Sequence, residues 1–118
     1  MPRLKTRKAR ALLALVAVVV IVCAWVAYDL YAPRRTEMRR FDPDEVARLE
    51  TAMWRSYYSR ERLKLFRELS ELLRTQYRLP LWRSNAVAYH AARAAFVFKD
   101  GRSRADYEKA LPDLVQFY

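Results

Sequence analysis

The side chains that could do chemistry are few, and their spacing narrows what that chemistry could be. His90 is the single histidine, which excludes a multi-histidine metal site. Glu50, Glu68 and Glu71 also lack the Glu-x-x-His spacing that carboxylate-bridged metal sites use in helical bundles. What remains for His90 is general-base work with a carboxylate such as Glu50 brought beside it in a groove of the fold. The competing reading is a half-buried, hydrogen-bonded structural histidine on an Ala-rich helix, and that reading is preferred. No catalytic, cofactor-binding or metal-binding residue is therefore assigned, and no enzymatic activity is expected.

Cys23 is the only cysteine and lies within an apolar run, so an intrachain disulfide is impossible. Lipid attachment there would need small residues just before it, and Ile21-Val22 do not fit. With Gly101 as the one glycine, a phosphate-cradling loop cannot be built. Trp54, Arg55, Tyr57 and Tyr58, followed by Tyr77, Trp82 and Arg83, mix aromatic and guanidinium groups as single-strand nucleic-acid sites do. The same mixture is ordinary in a helical core with solvated Arg at its rim, and nucleic acid is not an expected partner.

The elements that must position these groups begin with a membrane segment. Ala11 to Tyr28 are 18 uncharged residues, mostly Val, Ala, Leu and Ile; as a helix they rise ~27 Å, close to the ~30 Å hydrocarbon thickness. A transmembrane helix over 11–32 follows, preceded by a basic tail over 1–10. Trp25, Tyr28 and Tyr31 recur every three residues at its far end and form the expected interface belt. A cleaved signal peptide is the rival reading, with Val22-Cys23-Ala24 as the cleavage region, but the run exceeds the usual ~7–15 residues of such segments. The uncleaved signal anchor is the expectation.

Orientation follows from charge. Arg3, Lys5, Arg7, Lys8 and Arg10 precede the span, and Arg34, Arg35, Arg39 and Arg40 follow it. The first group is denser and is joined by the α-amino charge, which keeps the N-terminus in the cytoplasm and carries the rest across the cell membrane. Of 23 basic residues five stand before residue 11, and of 13 acids only Asp29 precedes Pro33, leaving 18 basic and 12 acidic residues and a charge of +6 for the remainder. The Arg-rich linker over 33–41 could contact anionic lipid through Arg34, Arg35, Arg39 and Arg40, each adding ~1 kcal/mol against an anionic leaflet.

Beyond the linker, 42–118 reads as an all-α bundle of about four helices. Asp42-Pro43-Asp44-Glu45 supplies an N-cap, Pro at the first helical position and acids against the helix dipole. A helix over 43–58 then carries Val46, Leu49, Met53 and Tyr57 on one stripe. Leu65, Phe66, Leu69 and Leu72 fall roughly opposite that stripe, so the chain must break between Tyr57 and Leu65. Ser59 is the expected N-cap of a second helix over 60–77, with one continuous helix as the alternative. After Pro80, Ala86, Ala88, Ala91, Ala92, Ala94 and Ala95 interleave with Val87, Tyr89, Phe96, Val97 and Phe98. Such a helix wants cover on nearly every side and is placed at the centre of the bundle.

Asp100-Gly101 should stop that helix and Ser103 with Asp106 should start the next. The last helix carries Tyr107, Leu111, Leu114 and Tyr118, with Pro112 kinking or dividing it. Its apolar pattern still runs at Phe117-Tyr118. The expectation is a continuation beyond Tyr118 or an end packed on a partner, against the alternative of a terminal helix docked on its own core. Ser103 to Pro112, with Tyr107, Ala110, Leu111 and Pro112, resembles the second helix of a tetratricopeptide repeat, the Ala-rich helix standing as the first. The likeness covers about one repeat and implies helical-hairpin packing only. The expected role is a membrane-anchored interaction or scaffolding module, whose partners are the lipid bilayer and another protein. An enzyme using His90 and an anionic-lipid-binding surface module are the alternatives.

Overall fold

A computed structural model describes the backbone of residues 2–33 and 39–118, with side chains from residue 6 onward in the first stretch. Six α-helices and no strand occur among the described residues: α1 (Pro2–Tyr31), α2 (Pro43–Tyr58), α3 (Arg62–Thr75), α4 (Leu81–Asp100), α5 (Arg104–Glu108) and α6 (Leu111–Phe117). The chain divides into two compact units, Met1–Pro33 and Arg34–Tyr118.

The first unit is α1. Its 30 residues rise about 45 Å, and the basic segment of residues 2–10 continues the helix rather than forming a separate tail. Within it, Thr6–Tyr31 is long and apolar enough to cross a membrane, with a mean hydropathy of 2.8. The side chains from Leu12 to Val22 are exposed, including Leu, Val and Ile of a kind that water-soluble helices bury.

In the second unit the helix starts follow the local chemistry. Asp42 caps α2, its Oδ1 accepting from the backbone N–H of Asp44 at 3.0 Å and of Glu45 at 3.3 Å. The reciprocal bond of a capping box does not form. Asp42 donates its own N–H to Gln76 Oε1 at 2.8 Å, and Glu45 turns to Arg48 at 2.8 Å. The start of α2 is thereby tied to the end of α3.

The break after Tyr57 is present, and the continuous-helix alternative fails. Ser59 does not cap α3, however; it is the C-cap of α2, and Glu61 precedes α3 without a side-chain cap bond. The reason is a Schellman closure: Arg60 N–H bonds Tyr57 C=O at 3.3 Å and Glu61 N–H bonds Ser56 C=O at 2.9 Å, with Arg60 in the left-handed region at φ 58°. The closure consumes residues 59–61, so the second helix covers Arg62–Thr75 rather than 60–77.

Packing runs α2 on α3, α3 on α4, and α5 and α6 on α4. Leu65, Ala92 and Phe96 form the core cluster, against which Met53, Tyr57, Phe66, Leu69 and Ala95 pack. Leu49, Leu72, Leu73, Ala88 and Ala94 are also buried. Polar bonds also cross these interfaces, among them Ser56 Oγ, which donates to Glu68 Oε2 at 2.8 Å between α2 and α3, and Ser70, which bonds Asn85 between α3 and α4.

α4 is the hub, because its alanines let neighbours approach closely. It is not covered on every side, since Tyr89 and Phe98 remain exposed. Gly101 ends it in an extended conformation, φ −71° and ψ 145°, and not in the left-handed one common at helix ends. Glycine is required there by space: a Cβ would lie 2.7 Å from the Tyr107 ring, which stacks on Phe98 with centroids 4.6 Å apart.

The final segment corrects the expected stripe. Ser103 caps α5 as anticipated, its Oγ accepting from Asp106 N–H at 3.3 Å. Lys109 and Ala110 keep right-handed helical dihedrals but tighten to i→i+3 bonds, Lys109 N–H to Asp106 C=O at 3.3 Å and Ala110 N–H to Tyr107 C=O at 3.0 Å, and regular helix restarts with Pro112 in the first turn of α6. That restart changes the phase, so Ala110 and Asp113 turn inward and are buried, while Leu111, Leu114 and Val115 turn outward. The tetratricopeptide-like second helix is therefore divided in two, α5 and α6, both of which pack on α4.

Candidate functional site

Two features stand out in the helical unit: an apolar groove and a clasp around a buried carboxylate. The groove has a volume of about 450 Å³ and takes its walls from α2, α3, α4 and α6. Met53, Trp54 and Tyr57 come from α2 because the stripe of that helix continues past Leu49 to its C-terminal end. Ala91, Ala94 and Ala95 supply a floor of methyl groups on α4, and Leu114 and Phe117 close the α6 side. Its size falls within the ~300–1,000 Å³ of small-molecule and peptide-anchor sites, but its walls are nearly all apolar.

Lys99 stands at the Tyr57 edge, with Nζ 4.4 Å from the Tyr57 ring centroid and 5.3 Å from that of Tyr58, and donates to the Tyr57 carbonyl. Trp54 lies edge-on to Tyr57 at 5.7 Å and stacks over Tyr58 at 6.1 Å. Of the mixed cluster read from the sequence, Trp54 and Tyr57 line the groove and Tyr58 packs beside them, whereas Arg55 lines a different, polar hollow with Asp44 and Glu68; the cation at this lip is Lys99, which the sequence reading did not include. Tyr77, Trp82 and Arg83 are not among the groove's lining residues.

The clasp holds α6 to α4. His90 Nδ1 lies 2.9 Å from Asp113 Oδ1, and Arg93 Nε lies 3.3 Å from Asp113 Oδ2. Asp113 is 7% exposed, so a buried carboxylate is met by one imidazole and one guanidinium. Arg93 Nη1 also reaches the Tyr89 hydroxyl at 3.4 Å, and the Tyr89 ring packs edge-on to His90 at 5.4 Å. The carboxylate beside His90 is therefore Asp113, not Glu50, which lies exposed on α2.

Chemically the pair orients an imidazole as a general base would be oriented. The groups described against the ring are Asp113 and the Tyr89 edge, and His90 does not line the apolar groove. Among the described residues no group of three or more His, Cys, Asp or Glu side chains could hold a metal ion. Asp113 was missed in the sequence reading. The signal was the Pro-Asp start of a helix, which reads as ordinary dipole chemistry.

Of the expected lipid-contacting arginines, Arg39 and Arg40 are exposed, while Arg34 and Arg35 lie outside the described residues. Trp25, Tyr28 and Tyr31 project from the C-terminal part of α1 and are exposed. Comparison with protein-family models, curated proteins and solved structures yields no match to this chain.

Proposed function

We propose that this chain is a single-pass protein of the cell membrane whose α1 serves as a signal anchor and whose helical unit is a protein-protein interaction module. The observation that carries the second half is the apolar groove between α2 and α6, rimmed by the exposed side chains of Trp54, Phe98 and Tyr118. Aromatic residues around a desolvated pocket are the groups that dominate binding energy at protein interfaces. The exposed apolar length of α1 and the Trp25, Tyr28 and Tyr31 belt support the first half.

In this reading the N-terminus is cytoplasmic and the helical unit faces outward, with Arg39, Arg40 and their linker neighbours near headgroups of the outer leaflet. A reporter active in only one compartment, fused after Tyr118, tests the orientation. Activity outside is expected, and activity inside would reverse the topology and turn the linker arginines toward the anionic leaflet. Amine crosslinking of intact membranes tests the module. A crosslinked protein adduct of the chain is expected, and a chain that stays free of adducts and monomeric would remove the reading.

A further inference from the structure

We infer that one end of the helical unit, formed by the start of α2, the end of α3 and the start of α4, docks on the anionic phospholipid headgroups of the membrane that holds α1. This goes beyond the interaction module and rests only on the anchor half of the proposed reading. The connections from α2 to α3 and from α3 to α4 are short and the helices pack in that order, so these three helix ends lie together. The bond from Asp42 N–H to Gln76 Oε1 at 2.8 Å joins the first two directly. None of the residues named below as the docking end lines the apolar groove, which stays open to a protein.

This end is basic and largely uncompensated. Arg39 and Arg40 stand where the chain enters the unit, and Arg74, Arg78 and Arg83 stand around the turn from α3 to α4. From Leu72 to Lys99 the sequence holds no acid. The acids at this end are Asp44 and Asp42, and Asp42 Oδ1 is committed to the cap of α2. Arg74 and Arg78 are exposed, and their side chains enter no ion pair among the described residues. At the opposite end the basic side chains are paired: Arg60 and Arg62 lie 3.7 and 3.4 Å from Asp100, and Lys64 lies 3.5 Å from Glu61. The excess charge is thus placed at one end of the fold rather than spread over it.

Among these arginines stand Phe41, 55% exposed, and Tyr77 and Leu81, each 40% exposed. Guanidinium groups bind phosphate oxygens in pairs, and aromatic side chains between them suit the headgroup layer, where one side of a ring meets acyl carbon and the other meets water. Only residues 32–38 separate α1 from Arg39, a length of about 25 Å at full extension, which keeps this end within reach of headgroups once α1 is inserted. An acidic protein would also satisfy the arginines, but the bilayer is the anionic surface that the chain's own anchor supplies to them.

The test uses the full chain in vesicles of phosphatidylcholine with about 30 mol% phosphatidylglycerol, carrying p-benzoylphenylalanine in place of Tyr77, of Leu63 at the opposite end, or of Val16 within α1. Illumination should give a lipid adduct at positions 16 and 77 and none at 63. Arg74→Gln combined with Arg78→Gln should lower the yield at 77 at least about fivefold. Both side chains are exposed, so the thermal melt should not move, and Arg67→Gln, two turns earlier in α3, should leave the yield as it is. Replacing phosphatidylglycerol by phosphatidylcholine should lower it to a similar degree with the protein unaltered. No lipid adduct at 77, equal yields at 77 and 63, an adduct at 77 only with protein, or a yield indifferent to both the arginines and the lipid charge overturns the docking. A labelled position 16 with position 77 bare removes this inference alone, whereas no lipid adduct at 16 removes the anchor and the docking together.

Discussion

Asp113 and Arg60 show how single residues set the geometry here. A carboxylate 7% exposed needs hydrogen-bond partners, and His90 and Arg93 supply them. Asp113→Ala leaves His90 and Arg93 without that acceptor and removes the main polar tie of α6. The expected cost is about 1–2 kcal/mol, at the lower end because Arg93 is largely exposed. Hydrogen exchange should show it as faster exchange of the α6 amides, with α2 and α3 unaffected; uniform loss of protection would argue against a local clasp. Arg60 carries the opposite lesson. A side chain at φ 58° costs ~1–2 kcal/mol in the left-handed region, and glycine removes that strain while adding ~0.5–1 kcal/mol of unfolded-chain entropy. Arg60→Gly is therefore expected to raise stability by up to about 1 kcal/mol, read as a higher urea midpoint at unchanged slope. A lower midpoint would mean that the Arg60–Asp100 pair at 3.7 Å outweighs the backbone strain.

At the scale of elements, α4 decides the arrangement. Its buried positions are Ser84, Ala88, Ala92, Ala94 and Phe96, and Ala88 and Ala92 are buried without filling much volume. What they supply is short interhelical distance, allowing α3 and α6 to pack close on opposite sides of one helix. Ala88→Leu should therefore destabilise the unit by about 1–3 kcal/mol through overpacking, although leucine is the more hydrophobic residue. A denaturation series would check the sign, and a gain in stability would show unfilled space where the structure has contact. The exposed Tyr89 and Phe98 mark where this hub lacks cover. The turn between α2 and α3 belongs to the same scale: its Schellman closure reverses the chain and brings the opposed stripes of the two helices onto each other.

For the molecule as a whole, charge and acid response are linked. The chain carries a formal +10, and carboxylates offset part of that repulsion. Asp106 is held below the ordinary carboxylate range first by the backbone N–H of Arg102 and then by Lys109 and Ser103; Glu45 is held down by its bond to Arg48. A carboxylate depressed in the folded state binds fewer protons there than in the unfolded state. Its contribution is complete above the unfolded values of ~3.9–4.3 and is lost as pH falls through the lower folded ones. The contribution of these two groups is thus expected to hold from pH 7 to about 5 and to decline below about 4 as they protonate. Urea midpoints across that range should show it, and Asp106→Asn should make the decline shallower. A decline of equal steepness in that variant would assign the acid response to other carboxylates.

How much of this could be read from the sequence depends on the range of the interactions concerned. The apolar length of α1, the caps at Asp42 and Ser103, the core stripe of α2 and the break before α3 are local matters, set by spacing and by residues within a few positions of one another, and composition alone excludes a metal cluster of histidines. The partner of His90, the Ser56–Glu68 bond and the tie from Asp42 to Gln76 join residues far apart in the chain, so no local pattern announces them. Ser59 as a cap was misjudged because αL closure at a non-glycine residue leaves no compositional mark. The outward turn of Leu111, Leu114 and Val115 was decided only in three dimensions. The periodic stripe of the last segment predicts those leucines inside, but the helix restarts at Pro112 and the buried carboxylate of Asp113, met by His90 and Arg93, takes the face on α4 in their place.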